Sequence, residues 1–228
     1  MDADFRIISI GAMAAHPLWN ESQDVRADHA TTVLIESQKQ VILVDPSLPP
    51  NILLPRLSER SNRAAEHITH IFLTSFEPMR RRGLSAFTHA TWLISERERE
   101  TIGQALIRQV HEAREAGDDE LLKLLTLEVA TLQRCEAAPD SIADGVDLFP
   151  LPGVTAGTCG LLLPGSRFTT LICGDAVATI EHLKAGKVLQ RCADIQAAQA
   201  SFAEAIEIAD VLVPGRDNVT MNPVRGPF

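Results

Sequence analysis

The chain has 228 residues, 45% of them apolar, and a formal net charge of −9. That apolar share supplies a substantial core, while the acidic balance and the absence of tyrosine exclude a basic, base-stacking nucleic-acid surface. No run approaches the roughly 18 apolar residues of a membrane span, and MDADFRIISIG starts acidic with too short an apolar run for a signal peptide, so a cytoplasmic protein is expected.

In chain order, Phe5–Ile10 reads as a first strand and Gly11–Asp28 as a loop of mixed composition. Thr31–Ile35 and Val41–Val44 are β-rich runs separated by the polar Glu36–Gln40, a hairpin signal. Asp45-Pro46 stops the second run, because proline cannot donate to a ladder and restricts the residue before it. Leucines 53, 54 and 57 predict a helix over Asn51–Arg60, with Pro55 in its first turn. Ile68–Thr74 and Thr91–Ile94 are short apolar runs that predict buried strands.

Glu96–Gly117 has helical spacing, with Ile102, Leu106, Ile107 and Val110 on one face and Gly117 as a stop. Asp118 caps a second predicted helix running to Arg134. That helix carries more leucine than one buried stripe requires. Its surplus either packs against the helix before it or forms a homodimer face over residues 118–134. Further strands are predicted at Val146–Leu148, Cys159–Leu163, Thr169–Cys173 and Val211–Val213, and a helix over Asp194–Ala209 with Ala197, Phe202, Ala205 and Ile206 inward. Cys135, Cys159, Cys173 and Cys192 lack C-x-x-C spacing and read as small buried hydrophobes. No repeat or linker interrupts the chain, so one layered α/β domain over 1–228 is expected.

Five segments carry a resemblance. Thr69–Gly83 reads THIFLTSFEPMRRRG, and it follows the hairpin HATTVLIESQKQVILVDPSLP. LPGVTAGTCGLLLP, LICGDAV and VLVPGRDNV come later, in that order. Together they resemble the metallo-β-lactamase superfamily: its Thr-His strand leading to H-x-H-x-D-H, its T-P-G-H segment, its strand ending Gly-Asp and its closing P-G-H-D. The resemblance implies a four-layer αβ/βα sandwich with a helical insertion at about 96–134 and a site at one edge between the sheets.

Carried over position by position, the family's metal-facing places fall on Ser75, Glu77, Met79, Arg80, Val154, Asp175 and Arg216. Only Asp175 keeps its residue type. Zinc takes Cys, His, Asp or Glu, and arginine stays protonated and cannot ligate. The family's hydrolysis depends on a metal that lowers the pKa of water from about 15.7 to about 7. The resemblance therefore implies a scaffold without the histidine ligands, and no metal or other cofactor is expected.

Two functions stay open: a non-catalytic ligand- or partner-binding protein, or a divergent hydrolase of esters, thioesters, lactones or phosphodiesters. The second would use no metal, or one divalent ion held by Glu77 and Asp175. Arg80 and Arg216 are expected to pair with Asp175 and Glu77 and so fill the former metal cavity. The same arginines could cradle a small anionic ligand. His16, Trp19, His29, Asp45, His182 and Asp217 are the candidate rim, with His29 and His182 as donors to a relocated metal. For Asp45, a backbone-bonding role in its turn is expected. His67, His70, His89 and His111 read as structural or surface residues, and no serine-type triad is visible.

Overall fold

The computed structural model describes residues 3–225. The first half builds strands β1 (Asp4–Ser9), β2 (Thr32–Ser37) and β3 (Gln40–Val44), helix α1 (Pro50–Ser61), then β4 (His70–Leu73) and β5 (Thr91–Ile94). Helices α2 (Glu96–Ala116) and α3 (Asp119–Arg134) lead into β6 (Cys135–Ala137). The second half builds β7 (Ser141–Ala143), β8 (Val146–Pro150), β9 (Cys159–Pro164), β10 (Thr169–Gly174), α4 (Ile180–Ala185), α5 (Ile195–Ile208), β11 (Val211–Pro214) and β12 (Thr220–Met221).

Two six-stranded sheets result, in the orders β1-β2-β3-β4-β5-β6 and β12-β11-β10-β9-β8-β7. Strands alternate their side chains between faces, and the apolar runs use both. In the first sheet, Val33, Ile35, Ile42, Val44, Phe72 and Leu93 face the second sheet, where Leu161, Ile172 and Val213 meet them. The interleaved Leu34, Leu43, Ile71, Leu73 and Ile94 face outward onto Leu53 and Leu57 of α1, Leu106 of α2 and Leu125 and Leu132 of α3. On the far side, Leu171 and Leu212 pack against Leu183 of α4 and Phe202 and Ala205 of α5. The layers are therefore α, β, β, α, which explains why the strands read as continuous hydrophobic runs.

The α2–α3 hairpin is the connection between the parallel neighbours β5 and β6, since a parallel pair needs a long crossover. Ser95 Oγ accepts the Glu98 N–H at 3.2 Å, Gly117 turns at φ +67°, and Asp118 Oδ1 accepts the Leu121 N–H at 2.9 Å. The surplus leucines divide. Leu125 and Leu132 are buried, whereas Leu121, Leu124 and Leu127 are exposed.

Some expectations need correction. Helix α1 begins at Pro50, and Pro55 lies inside it. Pro55 is on the exposed side, where water can satisfy the carbonyl its missing N–H leaves. Ile107 is 59% exposed and does not share the buried face of α2. In α5 the buried face includes Ala198 and Ser201, while Ala197 and Ile206 are half-buried. β6, β7, α4 and β12 are too short or too polar to show a period in the sequence.

Candidate functional site

The parallel pairs β3–β4 and β10–β11 end at the same edge of the sandwich. Each of these strands delivers a charged residue just past its carboxyl end: Asp45 after β3, Glu77 and Arg80 after β4, Asp175 after β10 and Arg216 after β11. The backbone is shaped for this. Asp45 has φ +46°, which turns the chain sharply out of β3. At Gly215 a Cβ would lie 2.3 Å from Asp175 Oδ1, so only glycine lets the last loop pass so close to that carboxylate.

Arg80 is the centre. Its side chain is fully buried, and all three guanidinium nitrogens meet carboxylates. Nη1 donates to Asp45 Oδ2 at 2.7 Å, Nη2 pairs with Asp175 Oδ1 at 2.7 Å, and Nε donates to Glu77 Oε2 at 3.3 Å. Asp45 also accepts the Thr74 N–H at 2.9 Å and the Thr74 hydroxyl at 2.7 Å. Arg216 continues the chain. Its Nη2 and Nε donate to Asp175 Oδ2 at 2.7 and 3.0 Å, and its Nη1 donates to Asp28 Oδ1. Ser75 Oγ donates to Glu77 Oε2 at 3.1 Å.

The result is a row, Asp45–Arg80–Asp175–Arg216–Asp28, with Glu77 as a branch. Buried charges persist only when paired and hydrogen-bonded. Burial pushes the Asp175 carboxyl up, but Arg80 and then Arg216 outweigh it and hold it well below the usual carboxylate range. Burial raises Asp45, and Arg80 and the Thr74 donors only partly offset this. Burial opposes the charge on Arg80, yet Asp175, Asp45 and Glu77 hold that group firmly protonated.

The pairing differs from the expectation in two respects. Asp45 is no rim residue: it is 2% exposed and anchors the inner end of the row. Arg216 takes Asp28 rather than Glu77 as its second partner. Asp28 escaped sequence reasoning because it sits in a loop without periodicity.

Beside the row lies a cavity of about 590 Å³. Glu77, Met79, Val154 and Arg216 line it, joined by Asp24, Asp28 and Met13 from the first loop and by Leu189, Arg191 and Cys192 after α4. The proposed rim residues lie elsewhere. His16 is 2% exposed and stacks on Trp19 with ring centroids 4.2 Å apart. Its Nε2 lies 3.1 Å from Thr179 Oγ1, which also contacts His182 Nδ1 at 2.9 Å. Burial lowers the pKa of His182 below that of a free histidine. His29 bonds the carbonyls of Ala27 and Ile10 and so pins the loop base. Asp217 accepts the N–H groups of Ile180 and Asn218. His29 and His182 therefore do not form a joint metal site.

A second residue missing from the sequence reading is Glu98. It is 1% exposed. Its carboxylate accepts the N–H groups of Phe76 at 3.0 Å and Gly157 at 3.1 Å and the Thr155 hydroxyl at 2.7 Å. It ties α2 to the loops that carry Glu77 and Val154. Ser95-x-x-Glu98 has the pattern of a capping box, but the Glu98 carboxylate serves the neighbouring loops instead.

A metal does not fit this residue set. Among the described residues no group of three or more His, Cys, Asp or Glu is arranged to hold an ion. The space between Asp45, Asp175 and Glu77 is filled by the Arg80 guanidinium. A dication there would sit beside two fixed positive groups.

No family model and no curated protein matches the chain. Solved structures do. A candidate metallo-beta-lactamase from Thermotoga maritima aligns over 97% of this chain and 100% of its own, with 15% identity and a TM-score of 0.68. AidC, a dizinc quorum-quenching lactonase in complex with a product, aligns over 90% and 86%, with 17% identity and a TM-score of 0.63. An N-acyl homoserine lactone hydrolase, with its product bound at the catalytic metal centre, aligns over 95% and 93%, with 16% identity and a TM-score of 0.61. The chain has the metallo-β-lactamase fold. Among the described residues, no helix is long and apolar enough to cross a membrane.

Proposed function

We propose that this chain is a non-catalytic member of the fold: a cytoplasmic protein that binds a small ligand in the cavity beside Glu77 and Arg216. One observation carries the reading. Arg80 occupies the space between Asp45, Asp175 and Glu77, with each guanidinium nitrogen on a carboxylate. A metal-activated water needs about three protein ligands and an open position, and here the donors already hold a guanidinium. Asp175, the one ligand-type residue kept, is divided between Arg80 and Arg216. Both its oxygens are held by guanidinium groups, and its depressed pKa makes it a weak base. The cavity supports the ligand-binding half: its volume lies in the range of small-molecule sites. A structural neighbour holds a reaction product at its catalytic centre.

We further propose that two copies associate through the exposed Leu121, Leu124 and Leu127 of α3. Exposed apolar side chains at this spacing form a contiguous stripe.

The test of the main reading is a panel of esters, thioesters, lactones and phosphodiesters, with and without Zn²⁺, Mn²⁺ and Fe²⁺. The expected result is no turnover above the metal-only control. Metal-dependent turnover abolished by Asp175→Ala would overturn the reading in favour of a hydrolase.

A further inference from the structure

The charges around the cavity are not distributed as an anion site requires. Arg80 is 1% exposed at its side chain and Arg216 is 10% exposed, whereas Glu77 and Asp28 are 35% and 33% exposed. Arg216 lines the cavity with Arg80 buried behind it, both already committed to carboxylates, whereas Glu77 and Asp28 face the open space. Each has an oxygen to spare. Glu77 uses Oε2 for Ser75 and Arg80, and Asp28 uses Oδ1 for Arg216. Glu77 Oε1 and Asp28 Oδ2 make no hydrogen bond among the described residues. Arg216, by contrast, has every guanidinium nitrogen on a carboxylate oxygen.

Charge counting gives the same sign. Asp28, Asp45, Glu77 and Asp175 set four negative charges against the two of Arg80 and Arg216, an excess of two that the exposed Arg82, bonded through Nη1 to the Asp28 carbonyl, reduces to one. At the mouth, Asp24 and Arg191 are both exposed and cancel. In a partly desolvated site that excess repels an anion and attracts a cation. The remaining wall is apolar, from Met13, Met79, Val154 and Leu189, and the volume of about 590 Å³ far exceeds a bare ion. Such a wall matches a short hydrocarbon chain rather than a hydrated metal.

We infer that the cavity takes a small organic cation: a primary ammonium on a short aliphatic body, its charge held by Glu77 and Asp28. This rests on the ligand-binding reading above and gives it a sign. The ammonium donates three hydrogen bonds and accepts none, which matches spare acceptors without spare donors. Charge-assisted bonds of this kind are shorter and stronger than neutral ones. The cation also returns the local sum toward zero. The sequence-based expectation of an anion held by Arg80 and Arg216 has the opposite sign, because Asp45 and Asp28 already pair with those arginines.

Three probes of equal length separate the possibilities on the full chain: hexylammonium, hexanoate and 1-hexanol, by calorimetric titration and thermal shift. Hexylammonium is expected to raise Tm and to bind at least about tenfold tighter than the other two. Glu77→Gln and Asp28→Asn are each expected to weaken it about tenfold, the scale of one charge-assisted bond. Should either variant fail to fold, salt decides on the native chain: binding of hexylammonium falls as ionic strength rises, and that of hexanol does not. Hexanoate or hexanol binding as tightly as hexylammonium would overturn the cation and leave the ligand-binding reading standing. Binding of none of the three would overturn both.

Discussion

Arg80 Nη2 lies 2.7 Å from Asp175 Oδ1, and both side chains are 1% exposed. By the sequence resemblance to the metallo-β-lactamase superfamily, both fall on metal-facing positions, and Asp175 alone keeps its residue type. Each supplies the counter-charge that makes burial of the other tolerable.

Removing one side of that pair is therefore the sharpest perturbation of stability. Arg80→Met keeps the length of the side chain and leaves Asp45 and Asp175 buried without their shared cation. Losses from breaking a buried pair run to about 3–5 kcal/mol, and urea unfolding should show a loss of that size. Arg80→Lys should recover part of it, because a point charge cannot fork between two carboxylates.

Acid should reveal the same linkage. The Asp175 carboxyl is held below its unfolded value, so it contributes stability that is present above about pH 4 and lost as pH falls toward the folded pKa. Asp45 is shifted the other way and works in the opposite sense: its folded form binds a proton more readily, so acidification relieves it. Asp175 is the buried group on the acid limb, with the half-buried Glu21, Glu181 and Asp210 held low in the same direction. Asp175→Asn is expected to lower stability at neutral pH and to flatten the decline of Tm below about pH 4.

The sandwich itself was legible because its strands are apolar runs bounded by Pro, Gly and Asp, and because five motifs fall in order along the chain. Cores follow such patterns closely. The site was legible only in part. Position matching picked out Arg80, Asp175 and Arg216, since each directly follows a strand or its turn. It could not find Asp28, which arrives from a loop 188 residues away from its partner Arg216 in sequence. It named Asp45 as a rim candidate and expected it to bond backbone; Asp45 does accept the Thr74 N–H, but it is buried and also holds Arg80. Trp19, His16 and His182 do come together, but away from the cavity lining, with both histidines buried and Trp19 exposed.

Glu98 gives a prediction about the loops rather than the charges. Glu98→Gln replaces one acceptor oxygen with an N–H group that must face other donors. The unsatisfied contacts should reduce stability by about 1–3 kcal/mol. Phe76 and Gly157 bond different carboxylate oxygens, so hydrogen exchange should accelerate at whichever of these two N–H groups faces the new amide nitrogen. Faster exchange spread evenly over the chain would point to global destabilisation instead.

The exposed leucines predict association. Multi-angle light scattering of the full chain should return the mass of two copies, and Leu124→Glu with Leu127→Glu should return that of one without loss of helix content. A native mass equal to the 24.8 kDa of one chain would rule out this interface.

Metal content tests the central claim most directly. The protein is purified without chelator from cells grown in zinc-supplemented medium, desalted, and measured by elemental analysis. With Arg80 and Arg216 filling the gap between the carboxylates, zinc should be far below one equivalent per chain and unchanged in Asp175→Asn. Zinc at one or two equivalents per chain, lost in Asp175→Asn, would contradict the account.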